Sequence, residues 1–216
     1  MKNSEIFPYI DHTLLKATAT AKQIRQLCEE ALAYKTASVC IPASFVKFAR
    51  ESFPELNICT VIGFPLGYST TAVKCFETRE AVRDGANEID MVINLGLVKE
   101  GKFQEITREI SDIKNACDGR LLKVIIETCY LTEEEKTALC NCVTDGGADY
   151  IKTSTGFGTA GAVIEDICLF KRHIGGNVKI KAAGGIRTKA DIEAFIAEGF
   201  SRIGTSSAVA LLSGDE

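Results

Sequence analysis

Short apolar runs rich in β-branched residues alternate along the whole chain with longer stretches whose apolar positions recur at helical spacing. Ser38-Val39-Cys40-Ile41, Cys59-Thr60-Val61-Ile62 and Val124-Ile125-Ile126 have the length and branching of buried strands. The pattern predicts eight strands, over residues 9–13, 38–41, 58–63, 88–93, 122–127, 150–153, 179–183 and 202–204. It predicts amphipathic helices over 20–34, 70–84, 105–115, 132–144, 163–173 and 189–198, with Thr20 and Thr132 placed to cap their first turns. Strands that alternate with helices argue for a parallel sheet, and eight of them for a (β/α)8 TIM barrel at the short end of that fold's size range. No Pro/Gly/Ser-rich linker or low-complexity stretch breaks the alternation, so residues 1–216 are expected to fold as a single domain.

A glycine recurs five residues before a strand position in three of these units: Gly85 before Asp90, Gly147 before Lys152 and Gly199 before Gly204. Glycine ends a helix readily in the left-handed conformation, so each is expected to close one helix and aim the next strand. The run Gly176 to Lys181 repeats the offset, and 29 residues separate Lys123 from Lys152 and Lys152 from Lys181, the mark of quasi-repeated βα units.

Composition acts mainly by exclusion. A net charge of −4 and a pI near 5.4, with lysines spread rather than clustered, leave no electrostatic footprint for nucleic acid. No apolar stretch approaches the roughly 18 residues of a membrane span, and the first nine residues lack the segments of a secretory leader. A cytoplasmic protein with neither nucleic-acid nor membrane partner is therefore expected. Nine scattered cysteines without a leader should be free and mostly buried. Two distant histidines, and a nearest cysteine pair at Cys140 and Cys142, do not have metal-ligand spacing, so no metal is expected.

Asp90, Lys123, Lys152 and Lys181 fall at equivalent positions of the fourth to seventh strands, on the face that alternates away from the helix layer; Ile151 and Ile180 flank the last two lysines on the other face. An unpaired ammonium inside a barrel is costly. One outcome is a buried salt-bridge network of these lysines with Asp90 and Glu127. The other is chemical: burial and a second ammonium nearby disfavour protonation, so one lysine becomes a neutral amine able to attack a carbonyl, with the second lysine as tuning charge and Asp90 as acid/base.

The seventh strand ends in Ala183-Gly184-Gly185, and the eighth runs into Gly204-Thr205-Ser206-Ser207 ahead of an apolar stretch at 208–212. Turns after the last two strands of a barrel are a frequent phosphate site, because glycines let backbone amides approach an anion and a helix start favours it. A plain tight turn at Gly184-Gly185, with Ser206 as an N-cap, is the alternative. Gly156-Phe157-Gly158-Thr159-Ala160-Gly161 matches the dinucleotide fingerprint G-x-G-x-x-G. The acidic residue that should follow about 20 positions on is missing, and the motif comes after the sixth strand, so no nicotinamide cofactor is expected.

Five stretches resemble the deoxyribose-phosphate aldolase family: Ile10-Asp11-His12-Thr13-Leu14-Leu15, Glu88-Ile89-Asp90-Met91-Val92-Ile93-Asn94, Lys123-Val124-Ile125-Ile126-Glu127-Thr128, Tyr150-Ile151-Lys152-Thr153-Ser154-Thr155-Gly156 and Lys181-Ala182-Ala183-Gly184-Gly185-Ile186-Arg187. The resemblance runs over essentially the whole chain. It implies a class I aldolase on a TIM barrel that reversibly splits 2-deoxy-D-ribose 5-phosphate into D-glyceraldehyde 3-phosphate and acetaldehyde, without metal or organic cofactor. Lys152 matches the imine-forming lysine, Lys181 the second lysine that lowers its pKa, and Asp90 the carboxylate that relays protons. The family further implies phosphate contacts from the turns holding Gly156, Gly184, Gly185, Ser206 and Ser207, and pocket positions at Asp11, Cys40 and Lys123. Cys40 is also readable as a packed strand cysteine.

Some members of the family carry a C-terminal tyrosine that assists proton transfer. Here the last tyrosine is Tyr150 and the sequence ends Leu212-Ser213-Gly214-Asp215-Glu216, so that either those steps rest on Lys181, Asp90 and water or turnover is slower than in members with the tyrosine. The implied partners are small phosphorylated sugars and aldehydes; barrels of this kind often pair, which leaves a homodimer open without the sequence fixing the oligomeric state. A Schiff-base aldolase for another phosphorylated ketose, or a phosphosugar-binding barrel without catalysis, would share much of this pattern; the intact lysine pair argues against the second.

Overall fold

The structure, a computed structural model, describes residues 1–213; Gly214, Asp215 and Glu216, the end of the expected domain and tail, lie outside the described residues. Eight parallel strands close a barrel in sequence order: β1 (Ile10–Thr13), β2 (Ser38–Ile41), β3 (Ile58–Ile62), β4 (Glu88–Val92), β5 (Leu121–Ile125), β6 (Tyr150–Lys152), β7 (Lys179–Ala183) and β8 (Arg202–Thr205). β1 pairs with both β2 and β8, which completes the ring. The TIM barrel expected from the alternation is the fold observed, with every strand end within two residues of its prediction.

The six predicted helices are present as Ala21–Tyr34, Thr71–Arg83, Phe103–Ala116, Glu133–Asp145, Ile164–His173 and Lys189–Ala197. Val46–Ser52 follows β2 as well, but its seven residues are too few to display a period. Short helices at Asn3–Ile6 and Leu95–Lys99 were likewise not foreseen. Thr20 and Thr132 cap as expected: each hydroxyl accepts the amide three residues on, while Gln23 and Glu135 reach back to the cap's own amide at 3.0 and 2.8 Å.

Three of the recurrent glycines do what the offset implied. Gly85, Gly147 and Gly199 have φ of +108°, +76° and +89°, and the next residue's amide reaches back to Ala81, Val143 and Phe195 at 2.9, 3.2 and 3.2 Å. Asn87 and Asp149, two residues beyond the first two glycines, then accept the amides of Ile58 and Leu122 on the preceding strand of the barrel. Gly176 is a correction to the repeat. It is not left-handed, because that helix ends at His173 and the chain passes through a separate turn closed by Val178 N–H on the Gly175 carbonyl.

Alternation along the strands divides the molecule into two environments. Ile10, Val39, Ile41, Ile58, Ile89, Val124, Ile151, Ile180 and Ile203 face the helices and form the main apolar core. The barrel interior holds a small apolar cluster, Cys40, Cys59 and Val61, partly covered by Leu15 and Phe64, together with Val92 and Ile125, the buried charged residues of β1 and β4 to β7, and the part-buried Arg202 of β8. Among the described residues no helix is long and apolar enough to cross a membrane.

Gly147 is left-handed with no atom within 4 Å of where a Cβ would stand, so conformational strain alone sets the cost of a side chain there. Gly147→Ala should destabilise by about 1 kcal/mol and lower Tm by about 3 °C with activity unchanged, as measured by thermal unfolding.

Candidate active site

Asp90 sits at the centre of the barrel, fully buried, and both of its oxygens are engaged. Oδ1 accepts from Lys123 Nζ at 2.8 Å and from the Cys59 thiol at 3.1 Å, while Oδ2 accepts from Lys152 and Lys181 Nζ, each at 2.7 Å. Lys181 also lies 2.5 Å from Asp11 Oδ2, and Lys123 2.6 Å from Glu88 Oε2. Arg202 closes the lower side: its guanidinium grips Glu88 through both nitrogens, at 2.9 and 3.1 Å, and donates to Asp11 Oδ1 at 2.5 Å, which Ser38 also engages.

Two parts of the sequence-based network are corrected here. The lysines are not at one level, since Lys123 is in register with Tyr150, whereas Lys152 and Lys181 are paired across β6 and β7 and Lys152 also faces Ile125. A closed barrel tilts its strands, so equal offsets along the chain do not mean equal heights. Glu127 also lies outside the network. The strand ends at Ile125, and Glu127, at φ +53°, turns its carboxylate to the Thr155 amide at 3.0 Å and to the Thr155 hydroxyl. Glu88 and Arg202 take the places the sequence reading left open. Each stands two residues before a position already singled out, Asp90 and Gly204, and two residues along a strand is the same face.

The electrostatics follow from this packing. Burial alone would raise the Asp90 carboxyl, but the Lys123, Lys152 and Lys181 ammonium groups outweigh it and hold Asp90 well below the usual carboxylate range. Asp11 is held down in the same way, against burial, by Lys181, Lys123 and Arg202. Burial disfavours the Lys123 and Lys181 ammonium groups, yet the carboxylates around them leave both raised and charged. The cluster thus sets Asp11, Glu88 and Asp90 against Lys123, Lys152, Lys181 and Arg202, one cation more than carboxylates. Cys40 and Cys59 come close enough to Asp90 to share a cation, as do Asp11, Cys59 and Glu88. Those carboxylates already face ammonium groups, and a metal ion would add charge to a cluster with positive charge in excess.

Above the network a cleft of about 340 Å³ opens at the carboxyl ends of the strands. Lys152 lines it, and of the charged cluster it alone does so among the described residues; Asp90, Lys181, Asp11 and Lys123 lie beneath. Cys40 is buried with Cys59 and Val61 behind Leu15, away from the lining. Gly156, Gly184, Gly185, Ser206 and Ser207 converge on the same cleft, joined by two cations, Lys16 and Arg187. The short helix Ala208–Leu212 has Ser207 rather than Ser206 at its N-cap position, without a side-chain capping hydrogen bond, and the Ser207 amide donates to the Thr205 hydroxyl at 3.2 Å.

The glycine motif after β6 has a packing explanation. A Cβ on Gly161 would overlap the Gly184 backbone, and one on Gly158 would stand 2.8 Å from Cys129 Sγ. The loop lies flat on the β7 turn, where the Ala162 amide donates to the Ala183 and Gly184 carbonyls at 3.2 Å. The next helix starts only at Ile164, so no helix start follows the motif as a dinucleotide site requires.

Comparison with known proteins agrees with this geometry. Residues 6–213 match the family described as DeoC/LacD family aldolase. The chain belongs to that aldolase family. A deoxyribose-phosphate aldolase of Clostridium botulinum (strain Alaska E43 / Type E3) is 58% identical over 217 residues, covering 100% of this chain and 98% of the relative. The solved structure of QR15, an aldolase, superposes with a TM-score of 0.93 at 38% identity, covering 97% of this chain and 95% of that one. A deoxyribose phosphate aldolase from Aeropyrum pernix, described as a unique tetramer, gives 0.87 at 30% identity over 98% and 91% of the two chains.

In this aldolase-family barrel, Glu127 shapes the Thr155-Gly156 turn from below without touching the lysines. Glu127→Ala should therefore raise KM for a phosphorylated substrate about tenfold while leaving kcat within a factor of about two, read from steady-state kinetics.

Proposed function

We propose that this chain is a class I aldolase that reversibly cleaves 2-deoxy-D-ribose 5-phosphate to D-glyceraldehyde 3-phosphate and acetaldehyde through a Schiff base on Lys152, residues 1–216 acting as one catalytic domain. The observation that carries the proposal is that Lys152 is the member of an over-cationic cluster that meets the cleft, with Asp90 as its carboxylate partner. Loss of its proton leaves the cluster neutral and presents an amine to a carbonyl in the cleft. The name of the 58% identical relative supports the substrate.

The chemistry follows from the placement of charge. The Lys152 amine adds to the aldehyde carbon of the open-chain sugar, and loss of water gives an iminium. The iminium carbon, C1, draws in the electrons of the C2–C3 bond, one carbon removed, as the C3 hydroxyl gives up its proton and C3 becomes the new aldehyde carbon. That bond breaks, glyceraldehyde 3-phosphate leaves, and the enamine that remains is protonated and hydrolysed to acetaldehyde. Asp90, held ionised by three ammonium groups, is a charge anchor in the resting site; it becomes a better proton acceptor once Lys152 has lost its charge, and Lys181 can donate through it.

The Gly184–Gly185 turn, left-handed at both residues, and the turns at Gly156 and Ser206-Ser207 would hold the phosphate by backbone amides, with Lys16 and Arg187 supplying charge. Small phosphorylated sugars and aldehydes are the ligands this cleft suits. Self-association, in a homodimer, fits the exposed Leu66, Tyr68, Val73 and Phe76, which crowd into one loop and the helix that follows it.

Acetaldehyde plus borohydride should leave an ethyl group on Lys152, found by peptide mapping, and Lys152→Leu should lose both the adduct and turnover while keeping its circular dichroism spectrum. Appreciable cleavage by that variant would remove Lys152 from the role. Lys181→Leu should shift imine formation to higher pH, because a neighbouring positive charge has gone; trapping rates measured across pH would show it.

A further inference from the structure

We propose that Arg202, at the end of the barrel away from the cleft, is a positioning residue for the Lys152 amine: its fixed charge on Asp11 and Glu88 leaves the cluster one cation in excess, with Lys123, Lys152 and Lys181 all sharing Asp90. The inference rests on Lys152 being the imine-forming lysine. Arg202 begins β8, and its guanidinium, 13% exposed, lies over the ring of Tyr150, which begins β6, with 6.0 Å between them. No substrate in the cleft can touch it. It reaches the site through two carboxylates, Asp11 leading to Lys181 and Glu88 leading to Lys123, and both lysines lead to Asp90.

A guanidinium keeps its charge throughout the working pH range, so Arg202 is a fixed positive charge at the base of the network. With it, three carboxylates face four cations and one lysine proton is surplus. Without it the three lysine ammonium groups and the three carboxylates balance, and the excess positive charge that favours release of a lysine proton is gone. The groups around Lys152 are Asp90 on β4, Lys123 on β5, Lys181 on β7, Asp11 on β1, Cys40 on β2 and Cys59 on β3, with Lys16 and Arg187 at the cleft and Glu127 below the Thr155 turn. Among the described residues only Lys152 both belongs to the cluster and opens to the cleft, so the surplus is discharged where the carbonyl arrives.

The test is the pH dependence of kcat/KM for cleavage, with borohydride trapping on Lys152 in parallel, for wild type, Arg202→Met, Arg202→Lys, Glu88→Gln and the double variant E88Q/R202M. Arg202→Met should move the acid limb of both profiles up by about one pH unit, which is about a tenfold loss at a pH on that limb, recovered at higher pH. Arg202→Lys keeps the charge and should stay near wild type. Glu88→Gln should move the limb the other way, and the double variant, which restores the charge difference, should return it. If Arg202→Met does not fold, the downward shift of Glu88→Gln and the return in E88Q/R202M still decide. Unshifted profiles, with only thermal stability lowered, overturn the inference and leave a structural ion pair. Absence of any Lys152 adduct in the wild type instead overturns the Schiff-base reading beneath it, so the two failures are distinguishable.

Discussion

A single buried carboxylate, Asp90, holds three lysine ammonium groups within 2.8 Å, and the interior of this barrel is organised around that constraint. Charges removed from water are costly unless each is met by an opposite charge at close range. Asp11, Glu88 and Arg202 extend the network until every member but one is held by several partners. The exception is Lys152, which faces the cleft. Structural and chemical readings of the buried lysines therefore do not compete here. The salt-bridge network is present, and the Schiff base proposed for Lys152 would draw on its excess of positive charge.

Such an interior is tolerated because stability is built elsewhere. The isoleucine and valine faces between strands and helices form a continuous apolar core, while Cys40, Cys59 and Val61 make a separate small cluster inside the barrel. Closure of the sheet leaves no edge, so the strands can place charged residues inward without exposing their backbone. The cleft is then made from loops at the carboxyl ends. Their glycines let the β6 and β7 turns pack against one another: a side chain on Gly184 would meet the Gly161 and Gly156 backbones at 3.2 and 3.4 Å.

The sequence by itself determined the barrel, through strand and helix periodicity and the left-handed glycines at 85, 147 and 199, because those signals are local and depend on a few neighbouring residues. It also singled out Asp90, Lys152 and Lys181, since a charged residue in an apolar strand contradicts its surroundings wherever the strand packs. Tertiary structure decided what such local signals do not encode. Strand tilt set the height of Lys123, the turn at Glu127 swung that carboxylate away from the lysines, and ring closure brought Arg202, at the far end of the sequence, against Asp11 near its start. Charge balance is summed over every strand that contributes to it, and so it became legible only when all eight stood in one ring.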